Sequence, residues 1–322
     1  MMSLVISEVL IQMECVGVCG TDVKMYTTQS NDIRPVVLGH EGSGVVFKVG
    51  AKVTSLCVGD AVAVEPAQPC GRCNYCTEGR YNLCKAMRYC SMDGSPGNCS
   101  TFYKHGARFC HKLPKQLTLE EGAAIQPLSV AVHACRRAGI KLGSKVAILG
   151  AGPIGVLCAM TARAMGATKI IITEKIEGRL KMAEKVVDYV LLIKPNDEDE
   201  VVISSIIKLL GTEPDICIDA CGDAPAQRVA LQVTRSGGVV VIVGIGDDIV
   251  TLPLTPALLR EVDVRGCIYI NNTYDTAIEM VSNGLADLKS IITHHFPLSG
   301  IKEALDLARE RVSMKTIIHV QQ

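Results

Sequence analysis

The chain has 322 residues, with 33 Lys+Arg against 33 Asp+Glu, no Trp and 4% aromatic residues. That length suggests about two domains. The balanced charge gives no pull toward nucleic acid or an acidic membrane, and so few aromatics leave few stacking platforms for single-stranded nucleic acid.

The longest apolar runs, such as 239–243, are far too short to span a bilayer. No nucleic-acid or membrane partner is therefore expected. The N-terminal segment carries Glu8 and Glu14 without a basic leader, so no signal peptide is read. Fifteen cysteines in a chain of this size read as thiols and metal ligands in a reducing, cytoplasmic compartment rather than as a disulfide scaffold.

Residues 1–128 are rich in short Val-heavy runs broken by Gly and Pro, and 8–16, 44–49 and 60–64 are expected as strands of a small β domain. Cys19-Gly20-Thr21-Asp22 follows the first strand region, and Gly39-His40-Glu41 follows a proline-containing loop. Cys, His and Glu can bind one zinc and leave a fourth position for water or substrate. A lone His or Cys is more often structural. Beside a dinucleotide fold the three suggest a Lewis acid for a hydroxyl or carbonyl.

Cys70, Cys73, Cys76 and Cys84 then form C-x2-C-x2-C-x7-C, with Gly71 and Gly79 giving the loop room to fold. Four thiolates at this spacing suit tetrahedral zinc in a closed, structural site. An iron–sulfur cluster is the competing occupant, and free buried thiols are the plain alternative. Cys57, Cys90, Cys99, Cys110, Cys135 and Cys158 show no ligand spacing and are expected as small core hydrophobes.

From about 129 to 264 helix and strand alternate, with strands expected at Val146, Lys169, Tyr189, Asp215, Val239 and Val264. That pattern is a doubly wound parallel sheet. Its centre is 145–166, where an apolar run leads into Gly150-Ala151-Gly152-Pro153-Ile154-Gly155 and then an Ala- and Met-rich helix. The helix stops at Gly166, a left-handed cap.

Gly150 allows the tight turn, Gly152 lets backbone approach a pyrophosphate, and Gly155 lets helix and strand pack closely. The helix N-terminus, where Pro153 and Ile154 stand, offers free N–H groups from Ile154 onward and a positive dipole end to the phosphates. The next strand ends at Glu174, an acid at roughly the 20-residue distance expected of a ribose-binding carboxylate. A purely structural glycine turn is the alternative. Segment 196–200 reads as a solvated helix start. The tail holds helical patterns at 274–283 and 298–311 and a closing strand at 316–320, and is expected to return to the β domain. There are no internal repeats.

The motifs GVCGTD (17–22), GHE (39–41), GDAVAVEP (59–66), the four-cysteine lobe, GAGPIG (150–155) and TRSGG (234–238) resemble the zinc-containing medium-chain dehydrogenases. PLSVAVHACRRAG (127–139), RYNLC (80–84), FCHKLP (109–114) and REVDVRG (260–266) resemble their sorbitol (polyol) dehydrogenase branch. The resemblance covers nearly the whole chain. It implies an α/β protein in which a GroES-like β domain (1–128 plus 270–322) is interrupted by a Rossmann NAD-binding domain (129–269), with the active site in the cleft between them.

The resemblance also assigns roles. Cys19, His40 and Glu41 match the catalytic zinc ligands, Asp22 the acid that orients the ligating His, and Thr21 the hydroxyl that passes the substrate proton. Gly150, Gly152 and Gly155 match the pyrophosphate turn, and Glu174 matches the acid on the ribose diol, with Arg179 near that pocket. The implied activity is of the L-iditol 2-dehydrogenase kind: a small alcohol or polyol is oxidised to the ketone by NAD, with two zinc ions per chain, in a homotetramer.

Four positions depart from the family pattern. The relay His is Lys24, a Tyr near substrate is Met25, the Glu beside the catalytic zinc is Gln126, and the Arg that holds a polyol hydroxyl is Tyr269. The Cys19-to-His40 loop is also shorter than in typical members. These departures keep two further readings open: a catalytically weak or inactive NAD-binding paralogue, and a related zinc dehydrogenase with another substrate. The chain starts almost at SEVLIQMECVG (7–17), so the family's opening strands are absent from it, which would leave a sheet edge unpaired.

Overall fold

A computed structural model describes residues 4–28, 36–92 and 94–321. The proline-containing loop ahead of Gly39 lies partly outside them, at 29–35. In chain order the strands are β1 (Glu8–Gly17), β2 (Glu41–Val49), β3 (Ala61–Val64), β4 (Ala67–Gln68), β5 (Arg88–Tyr89), β6 (Phe102–Gly106), β7 (Cys110–Lys112), β8 (Lys145–Leu149), β9 (Lys169–Glu174), β10 (Tyr189–Leu192), β11 (Ile216–Asp219), β12 (Val239–Ile242), β13 (Asp263–Gly266), β14 (Ile292–Pro297) and β15 (Lys315–His319). The helices that carry the argument are α1 (Gly20–Thr27), α2 (Asn74–Thr77), α3 (Leu119–Ala138) and α4 (Pro153–Ala164).

The chain divides into two compact units, Met1–Ser129 with Ile270–Gln322, and Val130–Tyr269. In the first, one sheet runs β14-β15-β1-β2-β3-β7, with β6 also paired to β1. β1 is long enough to serve three partners. β2 runs along one edge from Val9 to Gly17, while the other edge is shared by β6 over Glu8–Gln12 and β15 over Cys15–Gly17. Register shifts at Leu10/Ile11 and Met13/Cys15 bend the strand, as bulges do. Its apolar positions Val9, Ile11, Met13 and Val16 are buried with Val46, Val62, Val64 and Ile318.

In the second unit six parallel strands run β10-β9-β8-β11-β12-β13. Numbered from β8, this is 3-2-1-4-5-6, the dinucleotide-binding order. Ile148, Ile170, Ile171, Ile172 and Ile218 are wholly buried, as near-continuous apolar runs in a sheet covered on both faces must be. The acidic segment 196–200 leads into a helix, Asp199–Leu210. Gly166 takes a positive φ of 96° after α4.

Two local expectations need correction. β14 has no counterpart among the expected strands, because its sequence ITHHFP places two histidines where an apolar alternation would be sought. Of the six cysteines expected in the core, Cys90, Cys110, Cys135 and Cys158 are buried and Cys99 is half-buried, but Cys57 is exposed. It lies in the turn between β2 and β3, where its N–H donates to Asp60 Oδ2 (2.9 Å). Among the described residues, no helix is long and apolar enough to cross a membrane.

Candidate metal centres and dinucleotide turn

Three strand ends build the first centre. Antiparallel pairing sets Gly17, the last residue of β1, opposite Glu41, the first of β2. Cys19 lies two residues past that end and His40 one residue before the other. The ligand atoms of Cys19, His40 and Glu41 lie within 4.8 Å of one another. Asp22, in the first turn of α1, ties the two segments together: Oδ2 accepts from Cys19 N–H (3.0 Å) and Oδ1 from Gly39 N–H (3.1 Å). His40 Nδ1 stands 3.4 Å from Asp22 Oδ1, a charge contact that falls outside hydrogen-bond geometry.

The third strand end belongs to β15. Lys315 Nζ donates to Glu41 Oε1 (2.9 Å) and Oε2 (2.7 Å), and to Val18 O (3.1 Å). Asp22, His40, Glu41 and Lys315 are each at most 4% exposed. Burial opposes an imidazolium at His40, yet Cys19 and Asp22 outweigh it and hold the His40 pKa well above the ordinary value. Burial likewise opposes the Asp22 carboxylate, and His40 with the Cys19 and Gly39 N–H groups pulls its pKa down. The Cys19 thiol, the His40 ring and the Glu41 carboxylate thus meet in one place, beside buried Asp22 and Lys315. One S, one N and one O donor with a further position open is a set that fits zinc.

The second centre is local. Cys70, Cys73, Cys76 and Cys84 bring their Sγ atoms within 4.8 Å of one another. The short helix α2 sets Cys73 and Cys76 one turn apart, with their sulfurs at 3.5 Å, and Cys70 N–H donates to Cys84 Sγ (3.4 Å). The backbone N–H groups of Arg72 and Cys73 pull the Cys70 thiol down to about 6, while burial and Cys73 push Cys76 up to about 12. Four converging thiols, one of them already favoured as thiolate, fit a closed tetrahedral metal site.

The glycine turn joins β8 to α4. Gly150 has φ of 103°, and its N–H donates to Thr173 O (2.9 Å). A Cβ on Gly155 would collide with the Gly150 carbonyl oxygen, and one on Gly152 would meet Arg179 Nη1 at 3.7 Å. Pro153 opens α4, with Ile154 after it. Glu174, the last residue of β9, reaches back to the turn. Its Oε2 accepts from Ala151 N–H (3.0 Å), and its Oε1 from Lys175 (2.7 Å) and Ile176 (3.1 Å) N–H. Lys175 Nζ pairs with Asp223 Oδ2 (2.8 Å).

Gln126, on α3, is buried and donates from Nε2 to Tyr89 Oη (3.2 Å). The Tyr89 ring lies 5.8 Å from that of His40. Thr21 is half-buried in the first turn of α1, while farther along that helix Lys24 is exposed and Met25 half-buried. Sequence reasoning missed Lys315 and Tyr89. The only signal for Lys315 was a lysine directly before the expected closing strand at 316–320. Tyr89 carried none.

Residues 6–115 match the family model of the alcohol dehydrogenase GroES-like domain, and residues 153–283 match that of the zinc-binding dehydrogenases. A GroES-like domain joined to a Rossmann domain defines the zinc-binding dehydrogenase class. The chain is 58% identical to the sorbitol dehydrogenase of Bombyx mori, over 98% of its own length and 92% of that protein. It is 41% identical to the sorbitol dehydrogenase of Ovis aries, over 97% and 89%. A solved structure, an oxidoreductase/dehydrogenase of unknown specificity from Escherichia coli, matches with a TM-score of 0.92 and 31% identity, over 99% of this chain and 93% of that one. The chain belongs to the zinc-containing medium-chain dehydrogenases, in their sorbitol dehydrogenase branch.

Proposed function

We propose that this protein moves a hydride between a polyol or secondary alcohol and NAD, giving the ketose or ketone. The observation that carries this reading is the convergence of Cys19, His40 and Glu41, with Asp22 and Lys315 bracing them, in a chain that also holds the dinucleotide turn.

When bound, zinc at that centre would supply a Lewis acid and NAD the hydride acceptor. The chain supplies the rest. Cys19 and Glu41 offer anionic donors, and Asp22 fixes the His40 side, as outer partners of ligating histidines do. Thr21, next to the Cys19 loop, is the hydroxyl we assign to passing the substrate proton outward. Gln126, held by Tyr89, offers an amide that hydrogen-bonds but accepts no proton. The glycines 150, 152 and 155, with Pro153 and Ile154, receive the pyrophosphate, and Glu174 the ribose diol, with Arg179 beside Gly152. The four-cysteine lobe takes a structural zinc. The domains are read as 1–128 with 270–322 for catalysis and 129–269 for NAD. All fifteen cysteines are free, which supports a cytoplasmic setting, and family resemblance supports a homotetramer.

The test is zinc-loaded protein with NAD, assayed against sorbitol, xylitol, simple secondary alcohols and buffer alone. Polyol-dependent NADH formation is expected. Protein that binds zinc and NAD yet reduces no NAD with any of these alcohols would overturn the reading in favour of a non-catalytic NAD-binding protein.

A further inference from the structure

A third group of metal-ligating side chains lies outside both centres. Glu120 stands in the first turn of α3, His295 on β14 and His319 on β15. β14 and β15 run parallel with His295 opposite Ile317, so His295 and His319 are diagonal neighbours on one face. β15 in turn pairs with β1, setting Cys15 opposite His319. α3 lies over this face, since Leu119 and Ala123 pack with Cys15, Ile317 and Ile292. The first turn of α3 therefore brings Glu120 to the two rings.

The geometry is a near-equilateral triangle. His295 Nδ1 and His319 Nε2 are 3.2 Å apart, and each is 3.2 Å from Glu120 Oε1. Zinc–nitrogen and zinc–oxygen bonds of about 2.0–2.2 Å at tetrahedral angles set neighbouring donors roughly 3.3–3.5 Å apart. All three edges come close to that spacing.

Hydrogen bonds alone serve the triangle poorly. The two ring nitrogens carry at most two protons and the carboxylate carries none, while there are three edges to satisfy. If both ring N–H groups point at Glu120, nothing bridges the nitrogens. One cation shared by all three atoms satisfies every edge.

We infer that Glu120, His295 and His319 form a third metal site, for a divalent transition ion of zinc's class. Two imidazoles and a carboxylate are borderline donors suited to zinc, and also to copper or nickel, rather than to calcium or magnesium. The side chains are 34%, 47% and 19% exposed in the order Glu120, His295, His319, so the ion exchanges with solvent and keeps a position for water. His319 Nδ1 lies 3.8 Å from Cys15 Sγ. With Nε2 on the metal, Nδ1 carries the proton and donates it to that sulfur, which fixes the tautomer. The ion clasps the start of α3 to the two strands that close the chain.

The experiment is equilibrium dialysis of the full-length, zinc-loaded protein against micromolar free zinc, with metal counted by mass spectrometry. Wild type is expected to hold one zinc per chain more than His295→Ala, His319→Ala or Glu120→Gln, with NAD-linked turnover alike in all four. Cys19→Ser should still gain the extra ion, which separates this site from the proposed catalytic centre. A second reading uses Cu2+ offered to the zinc-loaded protein. Its electron paramagnetic resonance spectrum should show two coordinated nitrogens in wild type and none in the His295→Gln/His319→Gln double variant, which keeps the polar volume should the alanine variants fail to fold. Equal zinc uptake by wild type and variants, or the same copper signal in the double variant, would overturn the site.

Discussion

The four-cysteine lobe and the Cys19–His40–Glu41 centre each gather metal-ligating side chains but are assembled in opposite ways. The lobe's ligands fall within one short stretch, Cys70 to Cys84, shaped by α2 and backbone N–H groups aimed at sulfur. The other centre exists only where β1 ends and β2 and β15 begin, and its lysine comes from 274 residues beyond Glu41. A local site lives or dies with its own loop, whereas a site at strand ends draws on the whole sheet and needs bracing charges to hold buried donors in place.

The largest effect expected is in the lobe. Structural zinc in finger peptides contributes about 10–16 kcal/mol of folding free energy, more than the hydrogen bonds that tie Tyr81 to Glu65 and Gly79 to Asn272 can supply. Cys84→Ser should lose the lobe's metal and open the stretch around it to proteolysis, while NAD binding persists. Global unfolding of the whole chain would break the claim that the lobe is autonomous.

Lys315→Met probes the opposite design. It strands the Glu41 carboxylate in a buried place, and breaking a buried ion pair from one side costs about 3–5 kcal/mol. The metal-free variant should lose that much stability in chemical denaturation, and Glu41→Gln/Lys315→Met should recover part of it. A loss under 1 kcal/mol, the scale of exposed pairs, would show that the pair braces nothing.

The dinucleotide turn is built locally like the lobe, with Glu174 held by three nearby N–H groups. A 2′-phosphate beside that carboxylate brings like charges together, at a cost on the order of 4 kcal/mol at about 4 Å and intermediate dielectric. Arg179 softens this, while Lys175 is already paired with Asp223. Titration should show NAD bound roughly a hundredfold more tightly than NADP. Equal or tighter NADP binding would contradict the role given to Glu174.

Gln126→Glu gives the smallest change. A carboxylate here adds a base where the amide offers none, and positioned proton transfer contributes about 10²–10⁴-fold. An opposing effect is that added negative charge raises the pKa of a nearby hydroxyl. The base should dominate, with turnover at least tenfold faster at neutral pH. A variant that binds zinc and NAD but is unchanged or slower on every polyol would place Gln126 in a reshaped specificity pocket instead.

What could be read from the chain follows the same division. The lobe, the glycine turn and the six parallel strands were legible because their signals are contiguous: C-x2-C spacing, a G-x-G-x-x-G between strand and helix, and Val- and Ile-rich runs. Cys19 and His40-Glu41 were legible only as fragments, because nothing in either motif says that β1 and β2 pair in the register that joins them. Lys315 and the trio of Glu120, His295 and His319 were invisible, since their meeting depends on β14 and β15 joining β1, and β14 itself breaks the usual apolar alternation. Cys57 shows the converse error, a residue type that favours the core placed by its turn in solvent.

The central claim is that two metal centres of different construction coexist in one unit, and that Cys19 belongs to the open one alone. Metal analysis of wild type and Cys19→Ser after exhaustive desalting into metal-free buffer tests it most directly. The account predicts that Cys19→Ser holds about one zinc per chain less than wild type while keeping the lobe's ion. Equal zinc content in the two proteins would contradict it.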